Sequence, residues 1–164
     1  MSKDTFNQWH IAGLQAYKSA SEQAIDGAKK AVAKFPHPDL KQIAEQVVAT
    51  TTKHHETLVG FLKAAGAEVD AAHDEILDGI NRGTELMVKA AKDDDALNVA
   101  LLTGGKVALN YFVTAFSNHV DTAQALGMAD QAATFQQMAD EQQALYDQYV
   151  KLAKTSIFLQ AAQA

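Results

Sequence analysis

The sequence predicts an all-α protein built as a four-helix bundle with one additional, shorter helix. Three observations lead to this prediction. The 164 residues are dominated by Ala, Gln, Leu and Lys, which favour helices, and alternating β-branched residues are scarce. Both prolines lie in the short run 35–38, so the segments on either side are free of this helix breaker. Apolar residues recur every three or four positions over four long stretches, which is the period of a buried helix face.

The composition limits the classes of function. A chain of 164 residues is about the size of one domain, so a single domain over 1–164 is predicted. The absence of Cys excludes disulfides, thiolate metal ligands and a Cys nucleophile. With 14 basic and 20 acidic residues, the net charge of −6 leaves no basic patch for nucleic acid. No apolar run approaches the roughly 20 residues that span a bilayer, and the N-terminus MSKDTFNQWH does not follow the order of a signal peptide. We therefore expect a soluble, cytoplasmic protein without a membrane partner.

The first two long helices are predicted to form a hairpin around the prolines. Helix 1 is predicted over about 4–34, and Pro36 ends it because a proline disfavours helical geometry at the residue before it. Pro38 suits the first turn of the second helix, predicted over about 38–65. Gly66 can adopt the left-handed conformation that ends many helices.

A shorter third helix is predicted to start at Asp70 or a neighbouring residue. Asp70 and His73 have the spacing of two ligands on a helix, but we interpret Asp70 as the N-terminal cap of this helix. The aspartates 93–95 are predicted to lie in the next connection and at the start of helix 4, where negative charge suits the helix dipole. A calcium loop is the alternative for them, but the EF-hand spacing is missing.

The last two long helices are predicted over about 96–126 and 128–160, separated by Gly127. The pair Gly104–Gly105 lies inside helix 4, where each glycine costs about 1 kcal/mol relative to Ala, so we expect close packing or a bend there. His119 is interpreted as a cation near the negative end of the helix dipole. The inward stripe of helix 5 is predicted to be Phe135, Met138, Gln142, Leu145, Tyr149 and Leu152.

The connectivity of two hairpins joined through a shorter helix fits a ferritin-like bundle better than an up-and-down bundle. The chain resembles the bacterial YciE/YciF-type ferritin-like family, a domain linked to stress responses, over nearly its whole length. The resemblance is carried by HPDLKQIAEQV through LVGFLKAAG in helix 2, by Lys106–Val107 in helix 4, and by the run 136–141 leading to 149–153 in helix 5.

The resemblance implies where a di-metal site would lie. Di-iron members of the ferritin-like class bring several carboxylates and two Glu-x-x-His pairs into one layer. Laid on the family, Glu141 matches, and the other ligand positions fall on uncharged residues, namely Ser21, Ala49, Thr52, Ala108 and Gln142. Because carboxylates without a metal would be costly in a dry core, we expect a neutral polar network there and neither a metal nor another cofactor. Thr51, Tyr111 and His55 are further candidates for this network.

A relocated metal site is the alternative. Its candidate ligands are Glu22, His54, His55, Asp140 and Glu141, and iron or manganese would be the metal. Adjacent helical residues point about 100° apart, so His54 and His55 cannot chelate one ion together, although either could join ligands from another helix.

The sequence leaves three functions open. The first is a non-enzymatic, metal-depleted bundle that acts as a stress-associated structural or interaction protein, a homodimer by the resemblance. The second is an iron-handling protein or oxidoreductase that uses the relocated site. The third is a carrier of a small apolar ligand, held in space beside Ala49, Ala108 and Gln142. The apolar ends of the chain, Phe6 and Trp9 with the run 157–159, either pack within the monomer or contact a second subunit.

Overall fold

The computed structural model describes residues 2–162. Its helices are α1 (Lys3–Lys34), α2 (Pro38–Ala64), α3 (Glu75–Ala90), α4 (Asp94–Leu126), α5 (Ala129–Leu152) and α6 (Phe158–Ala161), with a π-helical turn at Ala153–Ile157. The long helices α1, α2, α4 and α5 form a four-helix bundle, and the shorter α3 lies in the connection between the α1–α2 and α4–α5 hairpins. The fold is therefore the all-α bundle with an inserted helix that the sequence predicts.

The hairpin boundaries follow from the residues named in the sequence. Pro38 occupies the first turn of α2, and the ring Nδ1 of His37 accepts a hydrogen bond from the Asp39 backbone N–H at 3.2 Å. Gly66 and Gly127 have φ angles of 66° and 78°, the left-handed region that glycine enters without steric cost. The predicted helix ends at these positions are confirmed.

The start of α3 differs from the prediction. Asp74, and not Asp70, is the N-terminal cap, because its Oδ1 accepts a hydrogen bond from the Leu77 N–H at 2.7 Å. Asp70 lies in the non-helical segment before α3 and pairs with the ammonium group of Lys18 on α1. The prediction that Asp70 caps this helix was wrong because two aspartates precede α3 and the second one is adjacent to its first turn.

The core consists of two apolar clusters with a polar layer between them. One cluster is centred on Phe112, Phe116 and Phe135, which are at most 2% exposed. The other contains Leu40 and Leu102, which are fully buried, at the end of the bundle nearer the prolines. Along α2 and α5, the residues that separate these clusters are polar.

Helix α4 is the most apolar helix of the chain. An 18-residue window of Asp94–Leu126 reaches a mean hydropathy of 1.3, so by length and composition this helix could cross a membrane. The expectation that no segment is apolar enough was therefore wrong for α4. The same composition is explained by its place in the bundle, because α4 packs against α1, α2, α3 and α5.

The glycine pair inside α4 marks close packing. A Cβ atom at Gly104 would lie 2.2 Å from the Oγ1 atom of Thr84 on α3, whereas one at Gly105 would lie 3.3 Å from the ring of Tyr149. Gly104 therefore lets α3 approach α4 closely, which is one of the two explanations that the sequence left open for this pair.

Candidate functional site

The candidate site is the polar layer between the two apolar clusters. It consists of Ser21 on α1, Thr51 and His54 on α2, and Gln142 on α5, each of them at most 1% exposed. The hydrogen bonds of this layer determine what it can bind.

His54 is the centre of one network in this layer. Its Nε2 lies 2.7 Å from the carboxylate oxygen Oε2 of Glu141, and its Nδ1 lies 3.1 Å from the amide nitrogen Nε2 of Gln142. Burial lowers the pKa of His54 below its usual value, although the hydrogen bond to Glu141 opposes this shift. Burial alone would raise the pKa of Glu141, but hydrogen bonds from His54, Lys53 and Gln137 lower it to about 2. The geometry therefore describes a neutral imidazole that donates from Nε2 to an ionised carboxylate.

The tautomer of His54 fixes the orientation of Gln142. Since the Nε2 of His54 carries the proton, its Nδ1 is an acceptor, and the amide N–H of Gln142 must face it. The other amide atom of Gln142, Oε1, is buried and has no hydrogen-bond partner within residues 2–162. The layer thus contains one buried acceptor without a donor.

A second, separate network lies on the α1 side of the layer. Ser21 Oγ donates to the backbone carbonyl of Lys18 at 2.7 Å and lies 3.0 Å from Nδ1 of His55. The Nε2 atom of His55 is 4.0 Å from the carboxylate of Glu22. These contacts join His55 to α1, whereas His54 faces α5.

The structure corrects part of the predicted layer. Ser21 and Gln142 are buried as predicted, and Ala108 is half-buried. Ala49 is exposed, so it is not in the layer, and half-buried Thr52 donates its hydroxyl to the Val48 carbonyl of its own helix. The inward positions of α2 are Thr51 and His54, two residues further along the chain. The family alignment put the Glu-x-x-His spacing at 49 and 52, whereas the helical spacing from buried Val47 and Leu58 leads to 51 and 54.

Tyr111 is also outside this layer. Its hydroxyl donates to Oδ2 of Asp74 at 2.5 Å, where it supports the cap of α3. Burial and this hydrogen bond raise the pKa of Tyr111, so the phenol remains protonated and acts as a donor. The predicted role of Tyr111 in the neutral network was wrong.

The relocated metal ligands do not converge. His54 with Glu141 and His55 with Glu22 form separate pairs on different faces of α2, and exposed Asp140 accepts a hydrogen bond from Gln136. Both ring nitrogens of His54 are already hydrogen-bonded. Among these five candidates, Glu141 is the carboxylate that reaches the layer, whereas a di-metal centre requires several anionic oxygens around two cations. These residues therefore do not come together around one metal ion, and they do not fit a di-metal centre either.

One group of candidate ligands was missed in the sequence. His73, Glu75 and Asp78 place one ligand atom each within 4.8 Å of the others, and among residues 2–162 they form the one such cluster. His73 and Glu75 are exposed, and Asp78 is paired with Arg82 at 2.5 Å. The spacing His73-x-Glu75-x-x-Asp78 around a helix start is the signal that would have found them.

A pair of buried histidines lies at the end of the bundle remote from the prolines. The rings of His10 and His119 stack with centroids 4.9 Å apart, and both residues are at most 1% exposed. Burial lowers the pKa of His119 to about 4, and the neighbouring His10 contributes to the shift. The interpretation of His119 as a helix-end cation was wrong, because the ring points into the core.

A cavity of about 610 Å³ opens beside the polar layer. It is lined mainly by residues of α1, α3 and α4, and also by residues of α2 and α5 that include Thr51 and Gln142. Small residues such as Ala28 and Ala108 form much of its wall, and exposed charged residues surround its mouth. The apolar-carrier hypothesis expects a dry, enclosed cavity beside Ala49, Ala108 and Gln142; the observed cavity is lined by Ala108 and Gln142, but it is not next to Ala49 and it opens to solvent.

Two solved structures have a similar fold. The E. coli stress protein YciF matches with a TM-score of 0.84 and 15% identity, over 90% of this chain and 94% of that one. YcfI from Rhodopseudomonas palustris, described as a candidate structural protein, matches with a TM-score of 0.83 and 18% identity, over 88% of this chain and 92% of that one. At these identities the likeness establishes the fold alone.

The family follows from the sequence itself. No curated protein sequence matches this chain significantly. A family model described as "Domain of unknown function (DUF892)" matches residues 5–162, nearly the whole chain. Together with the YciF fold, this match confirms the resemblance found in the sequence, and the chain belongs to the DUF892 family of YciF-like helical proteins.

Proposed function

We propose that this chain is a non-enzymatic, metal-depleted bundle with a structural role in a cytoplasmic stress response. The observation that carries the proposal is the donor set of the polar layer. Two hydroxyls and one amide stand where a ferritin-like di-metal site would carry carboxylates, so that His54 and Glu141 are the ligand types that remain. The role itself is supported by the descriptions of the similar structures, one a stress protein and the other a candidate structural protein.

The chemistry of the layer supports this proposal. The hydroxyl of Ser21, both ring nitrogens of His54 and the amide nitrogen of Gln142 each have a hydrogen-bond partner within the layer or beside it. Such a layer is stable without a cation, because the one carboxylate is neutralised by Lys53 at 2.9 Å and by the His54 N–H. The layer therefore specifies packing and does not need a metal for charge balance.

Oxidation of ferrous iron tests this proposal against the iron-handling alternative. Under air, the wild-type protein should oxidise added ferrous iron no faster than buffer does. If oxidation is faster, and Glu141→Ala removes the gain while Glu45→Ala on the exposed face of α2 does not, the alternative with Glu141 and His54 is correct. Glu45 is the matched control because it is a carboxylate on a bundle helix away from the layer.

We further propose that the protein is a homodimer. Trp9, Ile76 and Val107 come from three helices, line one surface groove, and are 54%, 64% and 48% exposed. Exposed apolar side chains that meet in one groove are typical of a protein interface. A second copy of the chain is the occupant that the family resemblance implies.

The dimer prediction is tested by the molar mass in solution. Ile76→Asp should convert a wild-type dimer into a monomer in sedimentation equilibrium, because it places a charge inside the groove. Leu86→Asp is the matched control, since Leu86 is on the same helix, is 67% exposed and does not line this groove. A monomeric wild-type protein, or a dimer that survives Ile76→Asp, would contradict the proposal.

A further inference from the structure

The cavity beside the polar layer joins an apolar wall to a buried hydrogen-bond acceptor. We propose that it binds a neutral, mainly apolar small molecule with one hydroxyl or N–H group, which donates a hydrogen bond to Oε1 of Gln142. This inference goes beyond the proposed structural role, and it depends on the geometry of the cavity and not on the state of any metal site.

The apolar character of the cavity comes from the helices that surround it. Its wall includes Ala24, Val47, Leu109 and Phe112, which belong to the two core clusters and are at most 9% exposed. A volume of about 610 Å³ is within the range of small-molecule sites in proteins. A ligand that replaces water along this wall gains the hydrophobic contribution of its buried surface.

The need for a hydrogen-bond donor on the ligand comes from Gln142. Its side chain is 0% exposed and is among those that line the cavity, and its N–H group is committed to His54. Because Glu141 fixes the tautomer of His54, the amide cannot turn over without losing this hydrogen bond and placing its oxygen against the Nδ1 acceptor. Oε1 therefore remains an acceptor without a donor in the fold, and leaving a buried acceptor unpaired costs about 1–3 kcal/mol. A ligand with a donor at its inner end removes this cost.

The mouth of the cavity favours a neutral ligand over an ion. Lys30 and Arg82 at the mouth are already matched by Glu85, at 4.0 Å, and by Asp78, at 2.5 Å. Lys34, Lys89 and Asp26 also line the cavity, so its four basic and three acidic residues nearly cancel and do not select strongly for a cationic or an anionic ligand. The interior of the cavity, which is apolar and has one hydrogen-bond acceptor, then determines which class of ligand binds.

Three aromatic probes test the proposal with the full chain. 1-Naphthol carries the hydroxyl donor, naphthalene lacks it, and 1-methoxynaphthalene replaces it with an ether. Isothermal titration calorimetry should show that 1-naphthol binds about tenfold more tightly than both analogues, which corresponds to about 1.4 kcal/mol for one satisfied acceptor. Equal affinities for the three probes, or no binding of 1-naphthol up to its solubility limit, would overturn the proposal.

Two variants assign the effect to Gln142. Gln142→Leu keeps a side chain of similar size and removes the acceptor, so 1-naphthol should lose about tenfold in affinity while naphthalene is retained. Thr52→Val is the control, because the hydroxyl of Thr52 is bonded to its own helix and does not line the cavity. An unchanged preference for 1-naphthol in Gln142→Leu would overturn the assignment. Should this variant fail to fold, the ranking of the three probes on the wild-type protein decides the proposal alone.

Discussion

The protein is expected to lose about 3 kcal/mol of stability between pH 6.5 and pH 4 through His119 alone. This side chain has a pKa of about 4 in the fold, compared with 6.5 when unfolded. In this window the unfolded chain binds a proton that the folded chain does not, so acid favours unfolding by about 1.4 kcal/mol per pH unit. The stabilisation is complete above pH 6.5 and is lost as the pH falls towards 4.

Three other groups also lower the stability of the fold as the pH falls. Burial also lowers the pKa of His10 and of His54, so each favours the unfolded state below pH 6.5. Glu141 adds to the loss below pH 4.5, because its pKa of about 2 in the fold means that the unfolded chain is protonated first. The total loss should therefore exceed the contribution of His119.

Urea unfolding at a series of pH values measures this effect. His119→Leu keeps a buried apolar side chain and removes the titrating group, so its free energy of unfolding should fall less steeply between pH 6.5 and pH 4. A variant as steep as the wild-type protein would show that His119 is not the group responsible.

Gly104→Ala is expected to destabilise the protein by about 2 kcal/mol. The added Cβ would lie 2.2 Å from Oγ1 and 2.8 Å from Cβ of Thr84. Thr84 cannot rotate out of the way, because its own Cβ is part of the clash and its hydroxyl is bonded to the Ile80 carbonyl at 2.9 Å. Helix α3 would have to move away from α4, which outweighs the gain of about 1 kcal/mol in helix propensity.

Gly60→Ala is the matched control, and it is expected to increase the stability of the protein. Gly60 is exposed on α2, and a Cβ there would have no atom within 4 Å. This substitution should stabilise the protein by about 0.5–1 kcal/mol, because Ala favours the helix more than Gly does. Urea midpoints of the two variants, compared with the wild-type protein, measure both effects. If Gly104→Ala were as stable as Gly60→Ala, α3 would not pack against Gly104 as described.

The helix boundaries of the fold were predictable because single residues mark them in the sequence. Pro38, Gly66 and Gly127 mark these helix boundaries. Pro38 suits the first turn of α2, and the two glycines adopt the left-handed conformation that ends α2 and α4. The inward face of α5 was also predictable, since Phe135, Met138 and Leu145 stand out from the polar residues between them.

The candidate site was less predictable, because periodicity does not resolve small polar residues. The run 49–52 has no apolar residue larger than Ala, and the family alignment put Ala49 and Thr52 in the layer that Thr51 and His54 occupy. Long-range pairs such as His54 with Glu141, 87 positions apart, depend on how α2 and α5 meet. The stacked pair His10 and His119 has no local signal for the same reason.

The metal content of the purified protein shows whether the polar layer holds a metal ion. Protein prepared without chelators should contain well below one iron, manganese or zinc ion per chain when measured by inductively coupled plasma mass spectrometry. This result follows from a layer whose donors are hydroxyls, an amide and an imidazole already bonded on both sides. A near-stoichiometric metal ion that is lost in Glu141→Ala would contradict the proposal that the polar layer is metal-depleted.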